Sequence, residues 1–114
     1  SLHCPSTKET RGLMNKETIS KMKKSAYLIN TARGDIVNES ELVEALKEKK
    51  IMGAGLDVYE KEPSVQQDLI NLKNVFLLPH LGSATNETRE AMGMRVFDNV
   101  MSFFNNEEPK DRIV

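Results

Sequence analysis

Three short clusters of the 114-residue sequence carry side chains able to do chemistry, and each follows an apolar run: Asn30-Thr31-Ala32-Arg33-Gly34, then Gly55-Leu56-Asp57-Val58 with Glu60-Lys61-Glu62-Pro63, then Pro79-His80-Leu81-Gly82. Arginine offers a planar fork for a carboxylate, histidine exchanges a proton near neutral pH, and a neighbouring carboxylate orients and charges that histidine. Arg33, Glu62 and His80 together therefore suggest carbonyl chemistry on an acidic substrate. Taken singly each has a plainer reading. Arg33 fits a solvated loop residue, His80 a hydrogen-bonded turn residue, Glu62 one exposed charge among 17 acidic residues, and Asp57 a loop cap.

Other candidates carry less. Gly53-Ala54-Gly55 opens like a dinucleotide fingerprint, but Val58 stands where the third glycine belongs and the segment reads as strand, not as a strand-to-helix turn. His3 and His80 lack the close spacing of a local metal site, so no metal is expected. Cys4, directly before Pro5, reads as a small buried strand residue, since nothing local would lower its pKa and make it a nucleophile.

The elements that must position these clusters alternate between strand and helix, which argues for an α/β fold with parallel strands joined by crossover helices. Asn15 caps a helix expected to reach about Lys24, with Met14 and Ile19 as a hydrophobic staple. Ala26 to Ile29 has no polar alternation and reads as a central strand covered on both faces. Asn38 caps a second helix whose Glu41 can reach back to the cap; Leu42, Ala45 and Leu46 form its buried stripe, and the charged Lys47 to Lys50 segment ends it. Ile51 to Tyr59 reads as a strand, small at Gly53, Ala54 and Gly55 because a neighbour packs closely. Val75 to Leu78 is a fourth strand if Leu2 to Cys4 ends the first. A last helix from about Thr85 carries Met92, Val96, Val100 and Phe104 at four-residue spacing as a core face.

Composition narrows the function classes. Sixteen basic against 17 acidic residues give a net charge of -1 with no basic block, so nucleic acid is not an expected partner. The apolar runs are far shorter than the roughly 20 residues that span a bilayer, so no membrane segment is expected. A lone cysteine is compatible with a reducing, cytoplasmic setting. Ser1-Leu2-His3 lacks an initiator Met and reads as the start of a piece cut from a longer chain, from which a leader could have been lost.

These motifs, with His3-Cys4-Pro5, the stretch from Thr7 through Thr10 to Asn15, and Ser83-Ala84-Thr85 after Gly82, resemble in order the D-isomer-specific 2-hydroxyacid dehydrogenases, a family that includes phosphoglycerate dehydrogenase and glyoxylate/hydroxypyruvate reductase. The resemblance implies an NAD- or NADP-dependent oxidoreductase that moves hydride between the cofactor and C2 of a small 2-hydroxy or 2-oxo acid. Arg33 matches the family residue that binds the substrate carboxylate and carbonyl, His80 the acid/base, and Glu62 its partner. Thr31, Ala32, Asp57 and Gly82 match positions lining the cofactor, with Cys4, Pro5 and Thr10 as weaker members. Related formate dehydrogenases carry Gln where Glu62 stands, which favours the hydroxyacid branch.

The resemblance further implies half of a Rossmann-type sheet with flanking helices. Residues 1–104 look like the C-terminal half of the cofactor domain and 105–114 like the start of the return to a substrate domain. The phosphate loop and ribose-binding acid are missing, so NAD and NADP are not distinguished. The family is commonly dimeric through this domain. Two other readings are an NAD-sensing regulator of the corepressor type on the same fold, and an inactive truncation.

Overall fold

The expected alternation resolves into a three-stranded parallel sheet. The computed structural model describes residues 1–113 and divides into two units, residues 1–82 and residues from 83 onward. In the first unit, helix α1 (Lys16–Ser20) precedes β1 (Tyr27–Asn30); α2 (Glu39–Lys47) leads to β2 (Gly53–Leu56), and α3 (Gln67–Asn71) to β3 (Val75–Leu77). The strands lie in the order β1-β2-β3, with Ile29 opposite Gly55 and Gly55 opposite Phe76. Leu2 to Cys4 does not form a strand. Leu2 makes one parallel bridge to Asn30, its N–H donating to the Ile29 carbonyl at 2.9 Å.

The core lies between the sheet and α1 and α2, built from Ile19, Leu28, Leu42, Leu46, Ile51, Leu56 and Leu69. Each such side chain taken fully out of water contributes about 1.5–3 kcal/mol. The expectation that β1 is covered on both faces is corrected: Leu28 and Asn30 are buried, but Tyr27 is 62% and Ile29 37% exposed. Helices of the first unit cover one face only. The close packing expected along β2 holds, since a Cβ on Gly53 would come within 2.5 Å of the Asn74 carbonyl and one on Gly55 within 3.0 Å of Ile29.

Two helices differ from expectation for local reasons. Helix α1 stops at Ser20, where the Ser20 hydroxyl bonds the Glu17 carbonyl and the Lys21 N–H turns back to Thr18 and Ile19. The Lys-rich residues beyond it offer no apolar stripe to continue. At α2, Asn38 caps as expected, accepting from Glu41 N–H at 3.1 Å. Glu41 does not reach back. Its carboxylate accepts instead from the Lys16 N–H, and the Asn38 N–H donates to the Met14 carbonyl, so the reciprocal box gives way to a link between α1 and α2.

The second unit contains α4 (Asn86–Phe104), capped by the Thr85 hydroxyl accepting from Thr88 N–H. The core role expected of Met92, Val96 and Phe104 is corrected: they are 56%, 65% and 72% exposed, and no residue of α4 is buried. Within this unit α4 faces only the short polar segment after Asn105. That segment is tied back by Asp111, which accepts from Arg95 Nε and Nη2 at 2.6 and 2.7 Å and from the Asn99 amide, bonds that lower its pKa to about 2. Val114, the last residue of the expected return segment, lies outside the described residues.

Candidate functional site

The first cluster is shaped by Asn30, 1% exposed at the end of β1. Its amide donates to the Arg33 carbonyl at 2.9 Å and its oxygen accepts from Ala32 N–H at 3.1 Å, a closed turn of the kind Asx side chains make. Gly34 then passes so near the second cluster that a Cβ would lie 1.9 Å from the Tyr59 carbonyl carbon. The turn presents Arg33 outward, where its Nη1 donates to the Ala32 carbonyl at 2.7 Å.

The second cluster continues β2. Asp57, 6% exposed, accepts from Leu81 N–H through Oδ1 at 2.7 Å. Tyr59 N–H donates to Glu62 Oε1 at 2.9 Å, and the Tyr59 hydroxyl lies 2.6 Å from the Leu78 carbonyl and 3.2 Å from that of Leu56. The Glu60 N–H donates to Glu39 Oε1 at 2.6 Å, anchoring this loop to the start of α2. Glu39 is itself 6% exposed; burial raises its pKa above the ordinary glutamate value, with the Glu60 N–H opposing.

The third cluster sets His80 at φ 57°, a left-handed conformation uncommon for residues other than glycine. Glu62 Oε2 lies 2.8 Å from His80 Nδ1. An ionised carboxylate can only accept, so Nδ1 carries the hydrogen and Nε2 is left to exchange a proton with a ligand. The bond from His80, followed by that from the Tyr59 N–H, lowers the Glu62 pKa below the usual range and keeps it ionised. Arg33, Glu62 and His80 share one open cleft of about 400 Å³, whose wall also includes Ser6, Asp35 and Glu60. An anion-binding fork, a proton-exchanging ring and the carboxylate that orients it thus face one space. That set can bind an acid and protonate a carbonyl next to it.

The positions expected to line a cofactor fall into two groups. Asp57 and Gly82 adjoin one another: a Cβ on Gly82 would touch nothing nearer than Asp57 Oδ2 at 4.0 Å. A carboxylate oxygen beside an unobstructed glycine suits the N–H groups of a carboxamide, and with the exposed Thr31 and half-buried Ala32 at the end of β1 it fits the nicotinamide end of a dinucleotide. Thr10 is engaged internally, donating to the Pro5 carbonyl at 2.7 Å and accepting from Thr7 N–H. Cys4, expected as a buried strand residue, is half-buried and lies outside any strand, and Pro5 is exposed. Among the described residues no cluster of His, Cys, Asp and Glu is arranged to hold a metal, and no helix is long and apolar enough to cross a membrane.

Sequence reasoning missed Asn30, Glu39 and Tyr59 as supports. Asn30 was visible as an Asx residue closing a strand before Thr-Ala-Arg. Glu39 and Tyr59 act across 21 and 19 positions of chain, which no local pattern reports.

A family model described as D-isomer specific 2-hydroxyacid dehydrogenase, NAD binding domain, matches residues 1–82. The chain is 48% identical to a glyoxylate reductase of Thermococcus litoralis over 99% of its own length and 34% of the relative's. It superposes on an NADPH-dependent glyoxylate/hydroxypyruvate reductase of Sinorhizobium meliloti, solved with NADP and malonate, with a TM-score of 0.84 and 44% identity, covering 89% of this chain and 32% of that one. A D-lactate dehydrogenase of Lactobacillus jensenii, solved with NAD+, gives a TM-score of 0.88 at 28% identity, covering 99% of this chain and 38% of that one. The chain spans about a third of the length of these relatives.

Proposed function

The chain belongs to the D-isomer-specific 2-hydroxyacid dehydrogenase family, and from that premise we propose that it carries the catalytic side chains of an oxidoreductase interconverting a small 2-hydroxy acid and its 2-oxo acid. Residues 1–104 serve as the second half of the NAD(P)-binding domain and 105–114 begin the return to a substrate domain. The observation that carries the reading is the shared cleft of Arg33, Glu62 and His80, with Glu62 Oε2 2.8 Å from His80 Nδ1.

In this reading Arg33 grips the substrate carboxylate and stabilises charge growing on the carbonyl oxygen. His80 gives its Nε2 proton to that oxygen during reduction and takes it back from the hydroxyl during oxidation. Glu62 holds the ring in orientation. Asp57, Thr31, Ala32 and Gly82 hold the nicotinamide end of NAD or NADP, with Cys4, Pro5 and Thr10 nearby. The bound dinucleotide supplies the hydride in reduction and accepts it in oxidation. The names of the relatives favour glyoxylate or hydroxypyruvate as substrate. A cytoplasmic setting agrees with the single free cysteine. The exposed apolar side chains of α4 agree with a homodimer.

The test is turnover by the whole protein of glyoxylate and hydroxypyruvate with NADH and NADPH, with D- and L-glycerate in reverse. Reduction of either oxo acid, with oxidation confined to the D isomer, supports the reading. Tight dinucleotide binding without turnover of any 2-oxo acid would replace it with that of a cofactor-sensing regulator.

A further inference from the structure

We propose that the Tyr59 hydroxyl is a positioning group for catalysis, bracing the turn that carries His80 so that the ring stays seated against Glu62. The inference rests on the proposed function. Tyr59 bonds Glu62 directly and reaches the turn that carries His80, without belonging to the pair. Through its backbone N–H, Tyr59 holds Glu62 Oε1 at 2.9 Å; through its phenol, it holds the Leu78 carbonyl at 2.6 Å, two residues before His80. On the other side of His80, Asp57 Oδ1 holds the Leu81 N–H at 2.7 Å. The turn between these two points carries His80 at φ 57°, a conformation an L-residue keeps when its surroundings fix it.

The phenol suits this work. Tyr59 is 7% exposed, and burial, followed by the neighbouring Asp57 and Glu39 charges, outweighs the Leu78 bond and raises its pKa, so the hydroxyl stays a donor throughout an assay range. The Leu78 carbonyl lies beyond β3, at the edge of the sheet, and its own N–H is already committed to Leu56. Without the hydroxyl that carbonyl loses its donor, and beyond the Leu78 N–H the turn is held by the Asp57 bond to Leu81 and by the Glu62–His80 bond itself. The groups around the ring are then Glu62 in contact, with Arg33, Asp35 and Glu60 across the cleft and Glu39 behind Glu60. Of these only Glu62 is bonded to the imidazole, so its hold is the one a looser turn weakens.

The experiment is a double-mutant cycle of Tyr59→Phe and Glu62→Gln in the whole protein, read by pH–rate profiles of 2-oxo acid reduction. Tyr59→Phe keeps the ring in the core and removes one hydrogen bond, so kcat should fall about 3- to 10-fold, the size of one neutral bond. KM for the oxo acid and for the cofactor should stay within about twofold. The alkaline limb of reduction should move in the direction it moves in Glu62→Gln, and in the Glu62→Gln background the same substitution should leave the limb unmoved. A Tyr59→Phe limb superposed on wild type, or an equal displacement in both backgrounds, overturns the proposal. An NMR titration of the His80 ring in the same four proteins keeps this separate from the reading of activity. If no 2-oxo acid turns over, that reading fails; a Tyr59-dependent ring titration that vanishes in the Glu62→Gln background would still support the brace, and an unchanged one would overturn it.

Discussion

Gly34 is the point where the Arg33 turn and the Tyr59 to Glu62 loop touch, and replacing it with alanine tests whether that contact sets the cleft. A Cβ there would lie 1.9 Å from the Tyr59 carbonyl carbon, 2.0 Å from its oxygen and 2.5 Å from Glu60 N. All three are backbone atoms with no rotamer to yield. Reaching even the 3.0 Å that real Cβ contacts rarely undercut requires the two segments to separate by at least 1.1 Å. Overpacking of this kind costs about 1–3 kcal/mol, and a displacement of about 1 Å between catalytic groups costs on the order of 10²-fold in rate. Gly34→Ala should therefore lower the midpoint of thermal unfolding and reduce kcat/KM for oxo acid reduction by about 10²-fold, with far-UV circular dichroism unchanged. A Gly34→Ala protein with wild-type kinetics and midpoint would refute the reasoning.

Arg33→Lys keeps the charge but loses the fork, so kcat/KM for the oxo acid should fall by about 10²-fold or more; unchanged kinetics would remove Arg33 from the mechanism. Glu62→Gln removes the negative charge 2.8 Å from the His80 ring, so reduction, which needs a proton on that ring, should fall off at lower pH than in wild type; a limb that stays put or moves upward contradicts the pairing. The two glutamates oppose each other in stability. Glu62, with its lowered pKa, contributes stability above the ordinary glutamate pKa that is lost as pH falls through its folded value, whereas Glu39, with its raised pKa, contributes below the ordinary value and loses that contribution as pH rises through its folded one. Glu39→Gln, which can still accept from Glu60 N–H, should consequently raise the urea midpoint at pH 7 and give no gain at pH 3. A lower midpoint at pH 7 would mean that the charged hydrogen bond outweighs the burial of the carboxylate.

Much of this fold was legible because its signals are local. Asn15 and Asn38 cap the helices they were expected to cap, the last helix begins beside Thr85 as expected, and the apolar runs fall at strands whose register places Arg33, Asp57 and His80 at one end of the sheet. The misreadings share a cause: apolar side chains show that a face wants cover, not that a neighbour supplies it. Tyr27 and Ile29 on β1 and Met92, Val96 and Phe104 on α4 look like core residues in sequence and are exposed in the structure. The site's supports were hidden for another reason. Tyr59 to Leu78 and Glu39 to Glu60 are pairings of distant residues, and only the folded chain brings them together.

The central claim is that His80 exchanges a proton with a 2-oxo acid held in the cleft. Its most direct test is His80→Ala in the whole protein, measured by single-turnover oxidation of NADH or NADPH in the presence of glyoxylate and by cofactor titration alone. The hydride-transfer rate should fall by about 10²- to 10⁴-fold, with cofactor affinity close to wild type, since no residue proposed to hold the nicotinamide is altered. A His80→Ala protein that reduces glyoxylate at the wild-type rate would contradict that claim.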